Sequence, residues 1–228
     1  MKWRSLEEAN RADTRTLGEI LAERKEMIAK YVGPETQRVH ERVIAELKTQ
    51  EIATRALAVG AKASGFELKD QTGRTVSSTE LLSRGRLVVC FYRGRWCPFC
   101  VATLECMNLA YPAIQQAGAA LVAISPQTVQ QSFFMADQHK LRFPLLSDPH
   151  NEVARRFGLV YGLPDDEKHV YRRFFVNLAL ANGDDTWELP VPATFVLDRD
   201  GTILFASAKE DYRERPEPAE IVRVLAPA

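Results

Sequence analysis

The segment Arg86–Ala102, RLVVCFYRGRWCPFCVA, decides how this chain folds. Leu87–Tyr92 is an unbroken apolar run, which is typical of a strand buried on both faces of a parallel sheet. A short basic turn leads into the Cys-Pro-Phe-Cys motif at 97–100, and helix-forming sequence continues to about Tyr111. The segment therefore predicts a buried strand followed by a helix, with a Cys-x-x-Cys pair at the junction.

The spacing of the two cysteines favours redox chemistry. Pro98 suits the first helical position, because its missing N–H has no helical partner there. Cys97 would then directly precede the helix, and Cys100 would lie one turn further in. The unpaired N–H groups and the positive end of the helix dipole favour a thiolate, and Arg93 and Arg95 add positive charge. A low-pKa thiol with a second thiol in reach predicts a reversible disulfide.

Three other interpretations of the pair stay open. Half of a zinc site would need further Cys or His ligands at a suitable spacing, and the sequence offers none. A structural disulfide would need an oxidising compartment, for which nothing else argues. Inert packing is the third, and it is the expected role of the other two cysteines, Cys90 and Cys106. The histidines have no metal-ligand spacing and no nucleotide-binding glycine motif is present, so we expect neither metal nor cofactor.

Composition limits the class of protein. The 228 residues suffice for one large domain with an appendage, and 30 Lys and Arg balance 30 Asp and Glu. This balance gives no charge argument for nucleic acid or an anionic membrane. No run approaches the roughly 18 apolar residues of a membrane span, and residues 1–15 lack the apolar core of a secretory signal. We expect a soluble, cytoplasmic protein.

Helical sequence precedes the redox segment. Residues 1–58 are expected to form a helical hairpin broken at Gly33-Pro34, with its second helix running to about Leu57. The hairpin would pack against the core or a partner subunit, so a homodimer is possible. Residues 59–228 alternate strands with helices and predict an α/β domain with a mostly parallel core. Pro112 is expected to kink or end the helix after the cysteine pair.

Two motifs carry a family resemblance: FYRGRWCPFC at 91–100 and PATFVLDRDG at 192–201. They resemble the thioredoxin-fold superfamily. From Val59 onward the chain is similar to the peroxiredoxin-like branch of the alkyl hydroperoxide reductase/thiol-specific antioxidant family. The resemblance implies a thioredoxin-like α/β fold, with a central mixed sheet flanked by helices, and a thiol-dependent peroxidase activity.

The chain departs from the peroxiredoxin pattern. Peroxiredoxins place a Pro, then a Thr or Ser, then the peroxidatic Cys after the equivalent strand, and those positions hold Arg93, Cys97 and Cys100. The Arg that they carry before the late strand corresponds to Pro192. Losing one positioned donor of this kind costs on the order of 10²–10³ in rate. Arg93 and Arg95 are the candidates to substitute.

Two of the replacements resemble thioredoxins, which have a first Cys and a Pro before Thr. In thioredoxins that Pro is cis and packs beside the cysteine pair. The resemblance therefore implies a cis Val191–Pro192 bond, with Pro192 and Thr194 beside the pair and Trp96 shielding it.

Two mechanisms follow. As a peroxidase, the protein would reduce hydrogen peroxide or an organic hydroperoxide at Cys100, form a disulfide with Cys97 and be recycled by thioredoxin or a similar dithiol. As a thioredoxin-like oxidoreductase, Cys97 would attack a protein disulfide and Cys100 would resolve the mixed disulfide, with Val191 and Pro192 lining the docking groove. A binding module that never cycles is a third possibility.

Overall fold

The computed structural model describes residues 15–226. Residues 1–14, on which the expectation of no secretory signal mainly rests, lie outside that range. Its helices are α1 Leu17–Tyr31, α2 Pro34–Thr49, α3 Ser78–Arg84, α4 Pro98–Gln116, α5 Val129–Gln138, α6 Glu152–Arg156, α7 Asp165–Arg173, α8 Leu178–Asn182 and α9 Pro218–Leu225. Its strands are β1 Glu67–Asp70, β2 Thr75–Ser77, β3 Leu87–Phe91, β4 Ala120–Ser125, β5 Leu145–Ser147, β6 Val160–Gly162, β7 Glu188–Pro190, β8 Ala193–Leu197 and β9 Ile203–Ala208.

Seven of these strands form one mixed sheet in the order β2-β1-β5-β4-β3-β8-β9. The central strands β3, β4 and β5 are parallel, and β8 and β9 continue the sheet as an antiparallel pair beside β3. Strands β6 and β7 form a separate antiparallel pair, which the sequence pattern did not reveal. The predicted α/β fold with a central mixed sheet flanked by helices is confirmed.

Strand β3 is buried on both faces, as its apolar run predicts. Leu87, Val89 and Phe91 face one hydrophobic core, together with residues of α2, α6 and α7. Val88 and Cys90 face the other core, together with residues of α1, α4, α5 and α9. Because parallel strands need helices on both faces, this double burial places the C-terminal end of β3 deep between the layers.

Two predicted helix boundaries were wrong. Helix α4 extends beyond the predicted end near Tyr111 and runs through Pro112 to Gln116. Of the two effects expected of this proline, a kink or an end, the helix end does not occur. Ile114, beyond the proline, is fully buried, and that packing holds the last turn in place. Helix α2 ends at Thr49 rather than near Leu57, because Glu51 adopts a left-handed backbone conformation with φ of 52°.

The N-terminal hairpin flanks the sheet on both sides. Helix α1 packs against α4, and its Leu17 and Leu21 belong to the core on that face. Helix α2 packs against α7, and its Val43 and Leu47 belong to the opposite core. The hairpin is therefore an integral wall of the folded protein. Within residues 15–226, no helix is long and apolar enough to cross a membrane.

Candidate active site

The cysteine pair lies at the N-terminus of α4, directly after the turn that connects β3 to this helix. The N–H of Cys97 donates to the carbonyl of Gly94 at 3.1 Å, and the carbonyl of Cys97 accepts from the N–H of Val101 at 3.0 Å. Cys97 is thus the residue that precedes α4, and Pro98 is the first residue of the helix, as predicted. Both cysteines are thiols rather than a disulfide, and each is about 1% exposed.

Cys100 carries the electrostatics of a reactive thiolate. Its Sγ accepts a hydrogen bond from the backbone N–H of Arg93 at 3.4 Å and lies 3.8 Å from Nη2 of Arg215. Burial by itself would raise the pKa of this thiol. The hydrogen bond from Cys97 and the charges of Arg215 and Arg93 outweigh burial and lower the pKa of Cys100 to about 5. Cys100 is therefore a thiolate at neutral pH.

Cys97 has the opposite character. Burial raises its pKa well above the usual value, and the hydrogen bond to Cys100 and the negative charge beside it raise the pKa further. Cys97 therefore stays a neutral thiol while Cys100 is ionised. The pair consists of one nucleophile and one proton-bearing neighbour.

Arg93 lies in a cage of aromatic rings beneath the pair. Its side chain is 2% exposed, and its guanidinium lies 4.1 Å from the ring centre of Tyr212 and 5.1 Å from that of Trp96. It also donates a hydrogen bond to the hydroxyl of Tyr171. Trp96 is half-buried and packs on Tyr171, with 5.1 Å between ring centres. The structure thus brings Arg93 and Trp96 together beside the cysteine pair.

Arg95 lies at the rim instead. Its backbone N–H donates to Oε1 of Gln127 at 2.8 Å, and its guanidinium donates to Oε1 of Gln131 at 3.3 Å. The side chain is exposed over Phe134. Arg95 therefore anchors the turn to the start of α5 and adds charge near the entrance.

The predicted cis bond at Val191–Pro192 was wrong: this peptide bond is trans. The chain passes from β7 into β8 as nearly continuous extended backbone, and the N–H of Val191 donates to the carbonyl of Leu159 at 2.8 Å. Pro192 is buried, and its carbonyl accepts from the N–H of Lys209 at 3.3 Å. The segment is thus tied into the sheet by its own hydrogen bonds.

Thr194 lies further along the same strand. It pairs with Cys90 across β8 and β3, and its hydroxyl is 3.8 Å from the Cys90 sulfur. Burial raises the pKa of Cys90 to about 12, although this hydrogen bond acts against the rise. Cys90 is therefore a packing residue, as expected, and the Thr194 hydroxyl is the hydrogen-bond partner of its sulfur.

A pocket of about 920 Å³ opens beside Cys97. Helices α1, α2 and α7 supply much of its wall, so the N-terminal hairpin shapes the approach to the pair. Apolar and aromatic groups dominate the lining, among them Ile28, Val32, Phe99, Val170, Phe174 and Val176. A pocket of this size accommodates a small organic molecule.

Sequence reasoning missed Arg215 and the two tyrosines of the cage, Tyr171 and Tyr212. Arg215 and Tyr212 lie in KEDYRERPEP at 209–218, which follows β9 and carries no recognisable motif. Only the return of this segment to the start of α4 brings them to the site. The high density of charged residues in this segment was the one signal available. Such a density is equally typical of a solvated loop and of an active-site loop.

Comparison with known proteins gives a consistent picture. Residues 59–206 match the model of the AhpC/TSA family. A Mycobacterium tuberculosis protein named as a peroxiredoxin is 33% identical over 153 residues, which cover 67% of this chain and 86% of the relative. The chloroplastic peroxiredoxin Q of Sedum lineare is 35% identical over 109 residues, covering 46% of this chain and 58% of that protein.

Solved structures agree with the fold. The crystal structure of peroxidoxin BcpB from Mycobacterium tuberculosis superimposes with a TM-score of 0.59 at 25% identity, covering 74% of this chain and 96% of that one. Peroxiredoxin Q of Xanthomonas campestris superimposes with a TM-score of 0.55 at 18% identity, covering 70% and 89%. The thioredoxin-like architecture is therefore shared, whereas α1, α2 and the segment that carries Arg215 lie outside the family match.

Proposed function

Because the chain belongs to the AhpC/TSA family, we propose that it is a thiol-dependent peroxidase in which Cys100 attacks the hydroperoxide and Cys97 resolves the product. One observation carries the assignment: the Cys100 sulfur is held between the N–H of Arg93 and the guanidinium of Arg215. A thiolate stabilised in this way is nucleophilic at neutral pH.

The first step oxidises Cys100. Its thiolate attacks the terminal oxygen of the hydroperoxide, an S–O bond forms and the O–O bond breaks. The sulfur loses two electrons and becomes a sulfenic acid, and the other oxygen leaves as an alkoxide or hydroxide that takes up a proton. The positive charges around the sulfur stabilise the anion before attack.

The second step uses Cys97. Its sulfur attacks the Cys100 sulfenic acid, an S–S bond forms, and water leaves with the Cys97 proton. Burial and the neighbouring Cys100 thiolate raise the pKa of Cys97, so this residue stays protonated while Cys100 is ionised. Thioredoxin or a similar dithiol then reduces the disulfide to the two thiols.

The thioredoxin-like alternative lacks two features that it requires. Cys97 would have to reach the disulfide of another protein as an exposed nucleophile, yet its side chain is about 1% exposed. The backbone of Val191 would have to line a docking groove, yet its N–H is already bound to the carbonyl of Leu159. The peroxidase assignment needs neither.

Single-turnover oxidation tests the proposal. Reduced protein is mixed with hydrogen peroxide or cumene hydroperoxide, and loss of thiols is followed by stopped flow in the parent, Cys97→Ser and Cys100→Ser. We expect fast oxidation in the parent and in Cys97→Ser, which stops at the sulfenic acid, and no fast phase in Cys100→Ser. A parent rate no higher than that of a free thiolate would refute the peroxidase assignment.

A further inference from the structure

We infer that Arg215 is a catalytic residue that stabilises the charge developing on the leaving oxygen, and that the N-terminal hairpin positions it. The inference rests on the proposed function, since it concerns the same attack by Cys100. The inference assigns a role to Arg215, which lies after residues 59–206, the range that matches the family.

The guanidinium of Arg215 is placed for this role. Nη2 lies 3.8 Å from the Cys100 sulfur, and Nη1 donates to the carbonyl of Glu214 at 2.6 Å, which fixes the plane of the group. A guanidinium has five N–H donors, so these two contacts leave others for an oxygen bound beside the sulfur. Arg215 also lines a second cavity of about 650 Å³, which gives the group access to solvent.

The two arginines of the turn before the pair are committed elsewhere. The guanidinium of Arg93 binds Tyr171 and lies among aromatic rings, and only the backbone N–H of Arg93 contacts the Cys100 sulfur. The guanidinium of Arg95 donates to Gln131 at the rim. Among residues 15–226, Arg215 is therefore the side-chain cation that the hydrogen bonds place on the reacting sulfur.

The chain lacks an arginine at the position where the family resemblance implies one. Where peroxiredoxins carry an arginine before the late strand, this chain has Pro192, whose buried ring offers no donor. Without a positioned cation, O–O bond cleavage would be slower by a factor on the order of 10²–10³. Arg215 supplies the missing positive charge from a different part of the chain.

The N-terminal hairpin holds the segment that carries Arg215. Two residues before it, Arg213 forms ion pairs with Asp211 and with Glu41 of α2. Two residues after it, Glu217 accepts hydrogen bonds from the first N–H groups of α1. Each side of Arg215 is thus fastened to one helix of the hairpin. The N-terminal hairpin therefore holds Arg215 beside the cysteine pair.

The test separates ionisation of Cys100 from catalysis of peroxide attack. All variants are made in the Cys97→Ser protein, so that oxidation stops at one sulfur. Rates of alkylation by iodoacetamide and of oxidation by hydrogen peroxide are measured from pH 4 to 10, with modification at Cys100 confirmed by mass spectrometry. Arg215→Gln is compared with Arg215→Lys and with Arg223→Gln, a control in which an exposed arginine of α9 is changed.

We expect Arg215→Gln to shift the alkylation profile to higher pH, because a cation beside the thiolate is lost. At high pH, where Cys100 is ionised in both proteins, alkylation should recover fully. Peroxide oxidation should stay on the order of 10²–10³ slower, because iodoacetamide has no leaving oxygen to stabilise. Arg215→Lys should recover part of the peroxide rate, and Arg223→Gln should match the parent.

Equal plateau rates with peroxide in Arg215→Gln and the parent would overturn the catalytic role, even if the alkylation profile shifts. A parent that oxidises no faster than a free thiolate would instead overturn the proposed function and this inference with it. Positioning by the hairpin is tested with Glu41→Gln and Glu217→Gln. These should lower the peroxide plateau while leaving the alkylation plateau unchanged, and an unchanged peroxide plateau in both would refute it.

Discussion

The carboxylate of Glu217 accepts a hydrogen bond from the backbone N–H of Gly18, 2.7 Å away and 199 residues earlier in the chain. The other carboxylate oxygen accepts from the N–H of Leu17 at 3.0 Å, and the side chain of Thr16 accepts from the N–H of Glu19. The first three N–H groups of α1 are thus all satisfied, and two of them by a residue from the opposite end of the chain.

Glu217→Gln should therefore destabilise the protein. The substitution removes a negative charge from the N-termini of α1 and α9 and weakens the three hydrogen bonds by which the Glu217 side chain caps them, which together contribute about 0.5–2 kcal/mol. Urea unfolding, followed by circular dichroism, measures the change in the free energy of unfolding. Glu214→Gln is the matched control, because Glu214 is an exposed glutamate of the same segment. Equal stability of the two variants would contradict the capping role.

The pH dependence of thiol reactivity follows from the two opposite pKa shifts. Cys100 has a pKa lowered to about 5, so its thiolate fraction falls as the pH drops through that value. Alkylation of the reduced protein at Cys100 should be half-maximal near pH 5 and nearly constant from pH 7 to 8. A free cysteine, with a pKa of about 8.5, would still be gaining reactivity over that interval. A midpoint above pH 8 would show that the cations do not stabilise the thiolate.

Some of this site could be predicted from the sequence, because its signals are local. The apolar run of β3, the proline after Cys97 and the spacing to Cys100 each act within one strand or one helical turn. They placed the pair correctly at the N-terminus of α4. The assignment of Trp96 and Arg93 to the surroundings of the pair also depended on their nearness in sequence.

The remainder depends on tertiary contacts that no local pattern encodes. Arg215 reaches Cys100 across 115 positions of sequence, and the anchors that hold it pair across still longer separations. The cis bond at Pro192 was a wrong prediction for a related reason. The sequence motif is shared with thioredoxins, but the hydrogen bond from Val191 to Leu159 comes from a neighbouring segment that thioredoxin-like motifs do not specify.

Arg93→Met should be far more destabilising than Arg95→Met. The Arg93 guanidinium is buried, donates a hydrogen bond to the hydroxyl of Tyr171 and lies 4.1 Å from the ring centre of Tyr212. Removing it leaves the buried Tyr171 hydroxyl without its donor and ends the cation–π contact, which together typically cost about 2–3 kcal/mol.

The matched change at Arg95 removes a charge from an exposed side chain, where substitutions usually stay within about 0.5 kcal/mol. Chemical denaturation of both variants, measured at the same pH and salt concentration, checks the difference. If Arg93→Met were as stable as Arg95→Met, the buried cation would have no structural role in the aromatic cage.

The pocket beside Cys97 should set the preference among hydroperoxides. Val32 directly follows α1, is half-buried and lies in the pocket wall, so a larger side chain there would fill space without entering the core. We expect Val32→Trp to lower the rate with cumene hydroperoxide by roughly tenfold or more, since a displaced aromatic substrate loses apolar burial. The rate with hydrogen peroxide should be unchanged, because hydrogen peroxide has no organic group to place in the pocket and needs space only beside the Cys100 sulfur.

The comparison of two substrates in one variant controls for misfolding, because a damaged site would slow both reactions. Val59→Trp is the matched control, because Val59 is an exposed valine outside the pocket lining. Equal slowing of both hydroperoxides by Val32→Trp would mean that the pocket does not hold the organic group. In that case the N-terminal hairpin would serve the reaction only through the segment that carries Arg215.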